Sequence, residues 1–377
     1  MSKDYNPPKE RSSRYARSSR VPTALPAKGG APKKIVCIGG GTGISMVLAG
    51  FKKYPVKLSV IVTMFDNGGS SGELRKELGI LPVGDIRQCL VALSNENNLT
   101  NFFYYRFGQS KFRGHNLGNL LIAAASKITG NLEKAVEKIG RILNIKGEVI
   151  PITLENSNIK ATLKNNKKLN GEEEIISCRN LSKIGIKKLF LEPKVKANPK
   201  AIAAIKNADL IIIGPGKFYT SIISNFLVKG ISKAVQKSPA KKVFICNLMT
   251  QAGNTDNFGV EDFIAILEKY LGKGIIDYVI FNTGKLSPKQ IKEVRKVFPK
   301  ADFIKYPSEA KGEDERKFID YDKSLLKQAP KFIGADVIDH QIWKLNPADT
   351  FVKGANKRTM ILHHPEKLAK IILNLCK

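Results

Sequence analysis

Cysteine and histidine are scarce in this sequence, which has 5 cysteines and 4 histidines among 377 residues. No two cysteines are separated by two residues, so the chain offers neither a C-x-x-C redox pair nor a zinc-ligand spacing. An odd number of scattered cysteines also argues against a disulfide framework. These absences are typical of a protein from a reducing compartment, and we expect a cytoplasmic location.

Long apolar runs are absent as well. No stretch approaches the roughly 18 uninterrupted apolar residues that a membrane-spanning helix needs. The N-terminus is basic and rich in Ser and Pro, and it lacks the apolar core of a secretory signal. We therefore expect no stable membrane insertion.

Acidic residues are few relative to basic ones: 33 Asp and Glu stand against 63 Lys and Arg, giving a net charge of +30. Such a charge is typical of proteins that bind nucleic acid or another polyanion. Here the excess is mostly Lys and is dispersed along the chain, which favours a solvated basic surface. We do not expect nucleic acid as a partner, although the charge leaves that alternative open. Assembly into a homo-oligomer is a further open alternative.

Several catalytic signatures are missing too. The sequence contains no H-E-x-x-H zinc motif, no G-x-S-x-G nucleophile elbow, no EF-hand loop and no Walker A loop. Function therefore has to be inferred from less standard clusters of glycine and polar residues.

The chain divides into a tail and one folded unit. Residues 1–33 are interrupted by prolines and dominated by Arg and Ser, which predicts a disordered basic N-terminal tail. Residues 34–377 predict one Rossmann-type domain. A short β-branched strand at 35–38, a glycine turn, a helix at 43–53 and a strand at 58–65 form a βαβ unit.

The rest of the domain follows the same α/β pattern, with one interruption. Short alternating runs within 149–193, such as 160–163 and 174–176, predict a small antiparallel β insertion. We expect a buried helix at 116–128 and a last helix at 365–375, with further parallel strands at 210–213, 242–246 and 277–281. The fold class is thus α/β, a Rossmann-like doubly wound, mostly parallel sheet. The adjacent His363 and His364 are expected at the surface.

The glycine loop directly after the first strand is the first candidate site. Glycines let the backbone approach a phosphate closely, and the following helix directs free N–H groups at it. The loop matches neither the standard dinucleotide pattern nor a Walker A loop. A tight turn without a ligand remains the alternative. The candidate phosphate-binding residues are Gly40, Gly41, Thr42 and Gly43.

A second cluster follows the second strand. Asp66 occupies the position where a dinucleotide-binding unit places an acid, and the glycines and serines after it predict a second anion- or substrate-binding loop. Arg87 suits phosphate recognition and Asp85 could orient it. The candidates here are Asp66, Asn67, Gly68, Ser70, Ser71, Arg75, Asp85 and Arg87.

Three further clusters begin or precede helices. His115 is the only histidine in the first 339 residues, and it precedes an apolar helix. The other two clusters follow the strands predicted at 210–213 and 242–246. Ligands of open α/β sheets bind at the carboxyl ends of such strands. The candidates are His115, Asn116, Asn119, Gly216, Thr220, Ser221, Asn247, Thr250 and Gln251.

Taken in order, these clusters resemble a known family. The series G-G-G-T-G, D-N-G-G-S-S-G, G-D-I-R, Y-R-F, G-H-N-L-G-N-L, G-P-G-x-x-Y-T-S and N-x-M-T-Q is similar to the gluconeogenesis-factor family (YvcK-type). That family lies within the 2-phospho-L-lactate transferase (CofD-like) superfamily. The resemblance runs from about residue 34 to about residue 370.

The resemblance implies a cytoplasmic protein that binds nucleotides or UDP-sugars and regulates carbon metabolism, cell-wall synthesis and cell shape. The transferase relatives move a phospholactyl group from a guanosine diphosphate donor with magnesium. By motif position, Asp66 and Arg87 would be catalytic, with Asp66 holding Mg²⁺. Two hypotheses therefore stand: a UDP-sugar-binding regulatory protein, and an active transferase.

Departures from the family pattern favour the first hypothesis. Relatives usually carry two consecutive acids where this chain has Asp66 and Asn67. Losing one carboxylate weakens a magnesium site, because hard cations prefer anionic oxygens. Gln88 replaces the usual Asn after G-D-I-R, whereas the glycine framework is intact, so we expect retained binding rather than retained catalysis.

Overall fold

The computed structural model describes residues 31–95, 98–297, 330–339, 343–344 and 359–375. The predicted basic tail lies outside these ranges except for its last three residues. The strands, in chain order, are β1 (Lys34–Gly39), β2 (Lys57–Val62), β3 (Glu148–Pro151), β4 (Asn158–Leu163), β5 (Lys168–Asn170), β6 (Ile186–Glu192), β7 (Leu210–Ile213), β8 (Lys241–Ile245), β9 (Tyr278–Asn282), β10 (Lys331–Ala335), β11 (Trp343–Lys344) and β12 (Thr359–Met360).

Helices connect most of these strands. In chain order the α-helices are Gly41–Phe51, Gly69–Leu78, Gly84–Leu93, Asn98–Tyr104, Leu117–Thr129, Leu132–Ile142, Glu172–Ser177, Leu181–Ile184, Pro199–Lys206, Ser224–Phe226, Ile231–Lys237, Val260–Leu271, Pro288–Val297 and Pro365–Asn374. A π-helical turn, Phe218–Ile223, leads into the short helix Ser224–Phe226. The predicted last helix is thus confirmed.

Seven parallel strands form the main sheet, in the order β10-β9-β8-β7-β1-β2-β3. All four residues of β7 and five of the six in β1 are buried, as expected for central strands covered on both faces. This burial explains why both strands are continuous apolar runs in the sequence. The predicted Rossmann-like α/β fold is confirmed.

The strand order reverses direction between β1 and β7. From β1 the chain proceeds to β2 and β3 on one side, then returns to β7, β8, β9 and β10 on the other. Neighbouring loops therefore leave β1 and β7 in opposite directions and open a crevice at the carboxyl ends of these strands. This switch point is the general ligand-binding position of open α/β sheets.

The predicted antiparallel insertion is present as a three-stranded sheet in the order β5-β4-β6. It is shorter at its start than the sequence suggested, because Glu148–Pro151 pairs with β2 in the main sheet. The strand predicted at 174–176 is wrong, since these residues belong to the helix Glu172–Ser177. Three consecutive glutamates after Gly171 favour a helix start, because the N-terminal dipole stabilises negative charge.

Two burial predictions need correction. The helix Leu117–Thr129 is buried on one side only: Ile122 is fully buried, whereas Ile128 is 82% exposed. His363, predicted at the surface, is buried, and its Nε2 lies 3.2 Å from the carbonyl oxygen of Cys246. That partner lies 117 residues earlier in the chain, so local sequence carries no sign of the contact.

The helices of the described ranges are too short or too polar to cross a bilayer; none qualifies as a membrane span.

Candidate functional site

The glycine loop after β1 is packed tightly against two neighbouring segments. A Cβ atom at Gly40 would lie 2.2 Å from Oδ2 of Asp85, and one at Gly43 would lie 2.4 Å from the carbonyl oxygen of Pro215. Gly41 has a φ of +67°, a conformation that favours glycine. Glycine is therefore required by close packing at the switch point, in addition to any ligand contact.

The helix that starts in this loop has N–H groups available for an anion. Its N-cap residue, Gly40, has no side chain to bond the first turn, and the first turn contains no acidic residue. Asp85 accepts the N–H of Gly41, so the remaining first-turn N–H groups are the ones that could reach a phosphate. Thr42 donates its hydroxyl to Gln88 Oε1 at 3.0 Å, which links the loop to the helix Gly84–Leu93.

A second loop, after β7, forms the opposite wall of the crevice. Asn247 clamps it: Asn247 Nδ2 donates to the carbonyl of Gly216 at 2.8 Å, and Asn247 Oδ1 accepts the N–H of Gly216 at 3.3 Å. The amide of Asn247, predicted as a ligand group, thus fixes the backbone of Gly216. The loops after β7 and β8 are held together by this pair of bonds.

Two carboxyl groups, Asp66 and Glu172, meet the Lys217 ammonium beside these loops, and a third, Asp85, interacts with this cluster by charge. Lys217 Nζ lies 3.0 Å from Glu172 Oε1, and the Thr220 hydroxyl donates to the same oxygen at 2.9 Å. Asp66 is hydrogen-bonded to Glu172 and accepts the N–H of Gly68 at 2.9 Å. The cluster therefore joins the loop after β2, the loop after β7 and the start of the helix in the insertion.

Burial and mutual charge shift the ionisation of this cluster. Burial, and then the charge of Glu172, raise the pKa of Asp66 well above its usual value. The same causes raise the pKa of Asp85 to about 7. Burial alone would raise the pKa of Glu172, but the Lys217 charge and hydrogen bonds from Asp66, Lys217 and Thr220 place it below its usual range. Glu172 is thus the carboxylate that stays ionised.

Lys217 faces both the cluster and solvent. Burial would lower the pKa of its ammonium, but the charges of Glu172, Asp66 and Asp85 outweigh that effect and raise it. Although protein surrounds the ammonium closely, 53% of the side chain is exposed, against 5% for Glu172. The side chain therefore lines the crevice, with the Glu172 carboxylate at its buried end.

A directed chain of hydrogen bonds lies next to the cluster. Arg87 Nε donates to Asn119 Oδ1 at 3.0 Å, and Asn119 Nδ2 donates to the Ser70 hydroxyl at 3.3 Å. Ser70 Oγ lies 3.2 Å from His115 Nδ1, and His115 Nε2 lies 3.2 Å from Glu73 Oε2. The structure thus brings four predicted site residues into one network that orients the Arg87 guanidinium.

The Y-R-F segment positions His115 through its backbone. The N–H of Phe107 bonds the carbonyl of His115 at 2.9 Å, and the N–H of Leu117 bonds the carbonyl of Tyr105 at 2.9 Å. Asn116 caps the helix Leu117–Thr129, because its Oδ1 accepts the N–H of Asn119 at 3.2 Å.

Three of the predicted ligand residues point elsewhere. Arg75 donates to Asn156 and to the carbonyl of Ser157, at the start of the insertion. Asn67 Oδ1 accepts the N–H of Glu173 at 3.1 Å, also in the insertion. The Ser71 hydroxyl accepts the N–H groups of Val83 and Gly84, both at 3.2 Å. These residues hold the walls of the crevice together.

The remaining predicted residues lie in the two segments that follow β7 and β8. Ser221 and Thr250 are buried, and Thr220 bonds Glu172 as described. Gln251 bonds the Thr255 hydroxyl through its backbone N–H at 2.8 Å. Two shallow depressions elsewhere on the molecule are lined by none of the predicted site residues.

The donor set does not fit a magnesium ion. Within the described residues, no group of three or more His, Cys, Asp or Glu side chains could hold a metal. Glu172 already contacts an ammonium, and Asn67 is turned toward the insertion. Magnesium in proteins is held by one or two carboxylates completed by water and substrate phosphates, and here the Lys217 ammonium already occupies the ionised carboxylate.

Sequence reasoning missed Glu172 and Lys217. Lys217 stands at an unassigned position of the G-P-G-x-x-Y-T-S motif, and Glu172 lies within a run of three glutamates. The two are 45 residues apart, and only the placement of the insertion brings them together. The rare acidic run in a strongly basic chain was the one signal available.

Comparison with known proteins assigns the class. The family model described as "2-phospho-L-lactate transferase CofD" matches residues 35–320, which is most of the chain. Crystal structures of a protein from Bacillus halodurans superpose with TM-scores of 0.77 and 0.76 at 33% identity, covering 91% and 92% of this chain and all of that one. The chain belongs to the CofD family.

Curated relatives narrow the assignment within that family. The gluconeogenesis factor of Bacillus subtilis is 38% identical over 351 residues, covering 92% of this chain and 99% of the relative. That of Halalkalibacterium halodurans is 41% identical over 258 residues, covering 68% of this chain and 79% of the relative. The predicted membership of the gluconeogenesis-factor group is thus confirmed.

Proposed function

We propose that this gluconeogenesis-factor family protein is a cytoplasmic nucleotide-binding protein whose ligand is a UDP-sugar. The observation that carries the proposal is the convergence of the loops after β1 and β7 at the switch point, where Gly43 and Pro215 are in close contact. A helix start without a side-chain cap lies on one wall and the half-exposed side chain of Lys217 on the other. Both features favour a diphosphate.

The carboxyl cluster suits the remaining part of such a ligand. Asp66 and Asp85 lie beside the crevice, and burial raises the pKa of both carboxyls; that of Asp85 is about 7, which leaves this group partly protonated near neutral pH. A carboxyl group in that state can both donate and accept hydrogen bonds, as sugar and ribose hydroxyls require. The diphosphate would lie along the glycine loops and the hydroxyls against the carboxyls.

Isothermal titration tests this proposal. UDP-glucose and UDP-N-acetylglucosamine should bind saturably at one site, whereas uridine, which lacks the diphosphate, should bind far more weakly. If folded protein binds neither UDP-sugar at millimolar ligand, the proposal is wrong. A parallel titration with GDP, which carries guanine instead of uracil, determines whether the site selects the base of the nucleotide.

The regulatory role in carbon metabolism, cell-wall synthesis and cell shape is part of the same proposal. A strain that lacks the gene should grow poorly on gluconeogenic carbon sources and change cell shape, and a binding-competent chain should restore both. Restoration by a chain that no longer binds UDP-sugars would contradict a role through that ligand.

Transfer of a phospholactyl-type group from a nucleoside diphosphate donor is the second candidate, supported by the name of the matching family model. The poor fit of the donor set to magnesium favours binding over transfer. In the transferase hypothesis, Asp66→Asn should abolish turnover with little loss of nucleotide affinity. Equal loss of both would contradict the catalytic role of Asp66.

A further inference from the structure

Lys217 stands at an unusual point in this crevice. It directly follows the loop that forms the wall at β7 and precedes the π-helical turn Phe218–Ile223. Its ammonium reaches the buried oxygen of Glu172 at 3.0 Å, while half of its side chain stays in contact with solvent. The positive charge of Lys217 therefore lies between the crevice and the buried carboxylate.

The contacts of Glu172 show that this arrangement is built rather than incidental. The same carboxylate oxygen that meets Lys217 accepts the Thr220 hydroxyl at 2.9 Å. Thr220 is itself buried and lies on the turn that Lys217 begins. Asp66 adds a further hydrogen bond to Glu172. A carboxylate with these partners is fixed in place and largely desolvated, which strengthens its attraction to the Lys217 ammonium.

The position of Lys217 conflicts with a divalent cation at the same carboxylates. A metal ion bound to Glu172 would approach the ammonium, and the like charges would repel each other. Asn67, the neighbour of Asp66, offers no second carboxylate and faces the backbone of Glu173. Among the described residues, the Lys217 ammonium therefore occupies the position beside Glu172 that a metal ion would need.

We propose that the Lys217 ammonium is the permanent cation of this carboxyl cluster and that the crevice takes the diphosphate of its ligand without a divalent metal. The identity of the ligand rests on the function proposed above, whereas the role of Lys217 does not. Glu172 holds the ammonium in place, and the exposed part of the side chain faces the ligand.

A manganese titration tests the cation role without any nucleotide. Free Mn²⁺ is followed by electron paramagnetic resonance, and the native protein should show no saturable site below about 1 mM. Lys217→Met removes the ammonium and should create one Mn²⁺ site in that range. The double variant Lys217→Met with Glu172→Gln should lose the site again, and Lys217→Arg should not gain it.

Lys160→Met is the matched control, because Lys160 also pairs with a glutamate, Glu192, but at the surface. It should gain no Mn²⁺ site. Saturable Mn²⁺ binding by the native protein that Asp66→Asn abolishes would overturn the proposal, and so would a folded Lys217→Met protein that binds no Mn²⁺. Thermal melting and circular dichroism establish folding.

A second measurement uses the native protein alone and covers the case in which Lys217→Met does not fold. UDP-glucose affinity is compared in EDTA and in excess Mg²⁺. Equal affinity supports the proposal, and binding that requires Mg²⁺ overturns it. If UDP-sugars do not bind under either condition, the proposed function fails, while the manganese titration still decides the role of Lys217.

Discussion

Nδ1 of His115 lies 3.2 Å from the hydroxyl of Ser70, and the bonds around this pair fix which atom carries the proton. Arg87 can only donate, so Asn119 must turn Oδ1 toward it and Nδ2 toward Ser70. Ser70 Oγ accepts that N–H and the backbone N–H of Asn116 at 3.4 Å, which uses both of its lone pairs, so its own proton goes to Nδ1 of His115. His115 is then protonated at Nε2 and donates to Glu73.

Ser70→Ala should break this directed chain. The change deprives the buried amide of Asn119 and Nδ1 of His115 of their shared partner, so we expect a loss of about 1–3 kcal/mol in the free energy of unfolding. Nitrogen chemical shifts of the imidazole should show loss of the single Nε2-protonated form. Ser177→Ala, at an exposed hydroxyl that bonds Glu174, is the control and should change neither. An unchanged imidazole spectrum in the Ser70 variant would contradict the assigned proton position.

Gly43→Ala should separate the two walls of the crevice. The added Cβ would lie 2.4 Å from the Pro215 carbonyl oxygen, a backbone atom that cannot turn aside. We expect overpacking to cost about 1–3 kcal/mol of stability. UDP-sugar affinity should fall by about tenfold, equivalent to about 1.4 kcal/mol.

Gly108→Ala is the matched control, because a Cβ at Gly108 meets nothing within 4 Å. Chemical denaturation and isothermal titration give both quantities. Equal behaviour of the two variants would show that the loops after β1 and β7 tolerate separation and do not form one site.

Asn67→Asp restores the second acid usual in the family but should not create a metal site. Asn67 Oδ1 accepts the N–H of Glu173 at 3.1 Å, and a carboxylate can accept the same bond. Stability should change by less than about 1 kcal/mol. Asn165→Asp is the control, because Asn165 Oδ1 accepts the Lys167 N–H at 3.1 Å in the same way. Mn²⁺ binding gained only by the Asn67 variant would show that the side chain turns toward Asp66.

His363 should make the protein less stable in mild acid. Burial lowers the pKa of His363 to about 4, from an ordinary value of 6.5, although the bond to the Cys246 carbonyl opposes the shift. Between those pH values the unfolded chain binds the extra proton and the folded chain does not. The contribution of His363 to the free energy of unfolding is therefore complete above pH 6.5 and is lost as the pH falls toward 4. The loss amounts to roughly 3 kcal/mol.

His363→Gln removes the titration while keeping an N–H that can bond Cys246. Urea denaturation of both proteins between pH 7 and pH 4 measures the difference. The variant should lose less stability than the native chain over this interval. Identical pH dependence would mean that His363 is accessible to protons in the folded state.

The sequence predicted the parts of the fold that local pattern determines. β1 and β7 were recognisable because central parallel strands are continuous apolar runs ending at glycine. The strand order was not predictable, since the position of β7 beside β1 depends on contacts between residues about 175 apart. The two isoleucines of residues 174–176 favour a strand, yet the acidic run and Gly171 start a helix there.

The site was predictable in the same partial sense. Glycine-rich turns after strands indicated the crevice, because glycine marks close approach of backbones. Which polar groups face the crevice was not predictable: Arg75 turns toward Asn156, and Asn247 bonds Gly216. Glu172 and Lys217 were missed because their pairing exists only after the insertion has docked.

The pairing of Glu172 with Lys217 also ties two parts of the molecule together. Glu172 belongs to the insertion and Lys217 to the main sheet, so their attraction contributes to the free energy that holds the insertion in place. If the proposed phosphate-bearing ligand binds beside Lys217, it competes with Glu172 for the ammonium and weakens that attachment. By thermodynamic linkage, anything that displaces the insertion changes ligand affinity by the same factor. If the proposed function holds, occupancy of the crevice is thereby coupled to the position of the insertion.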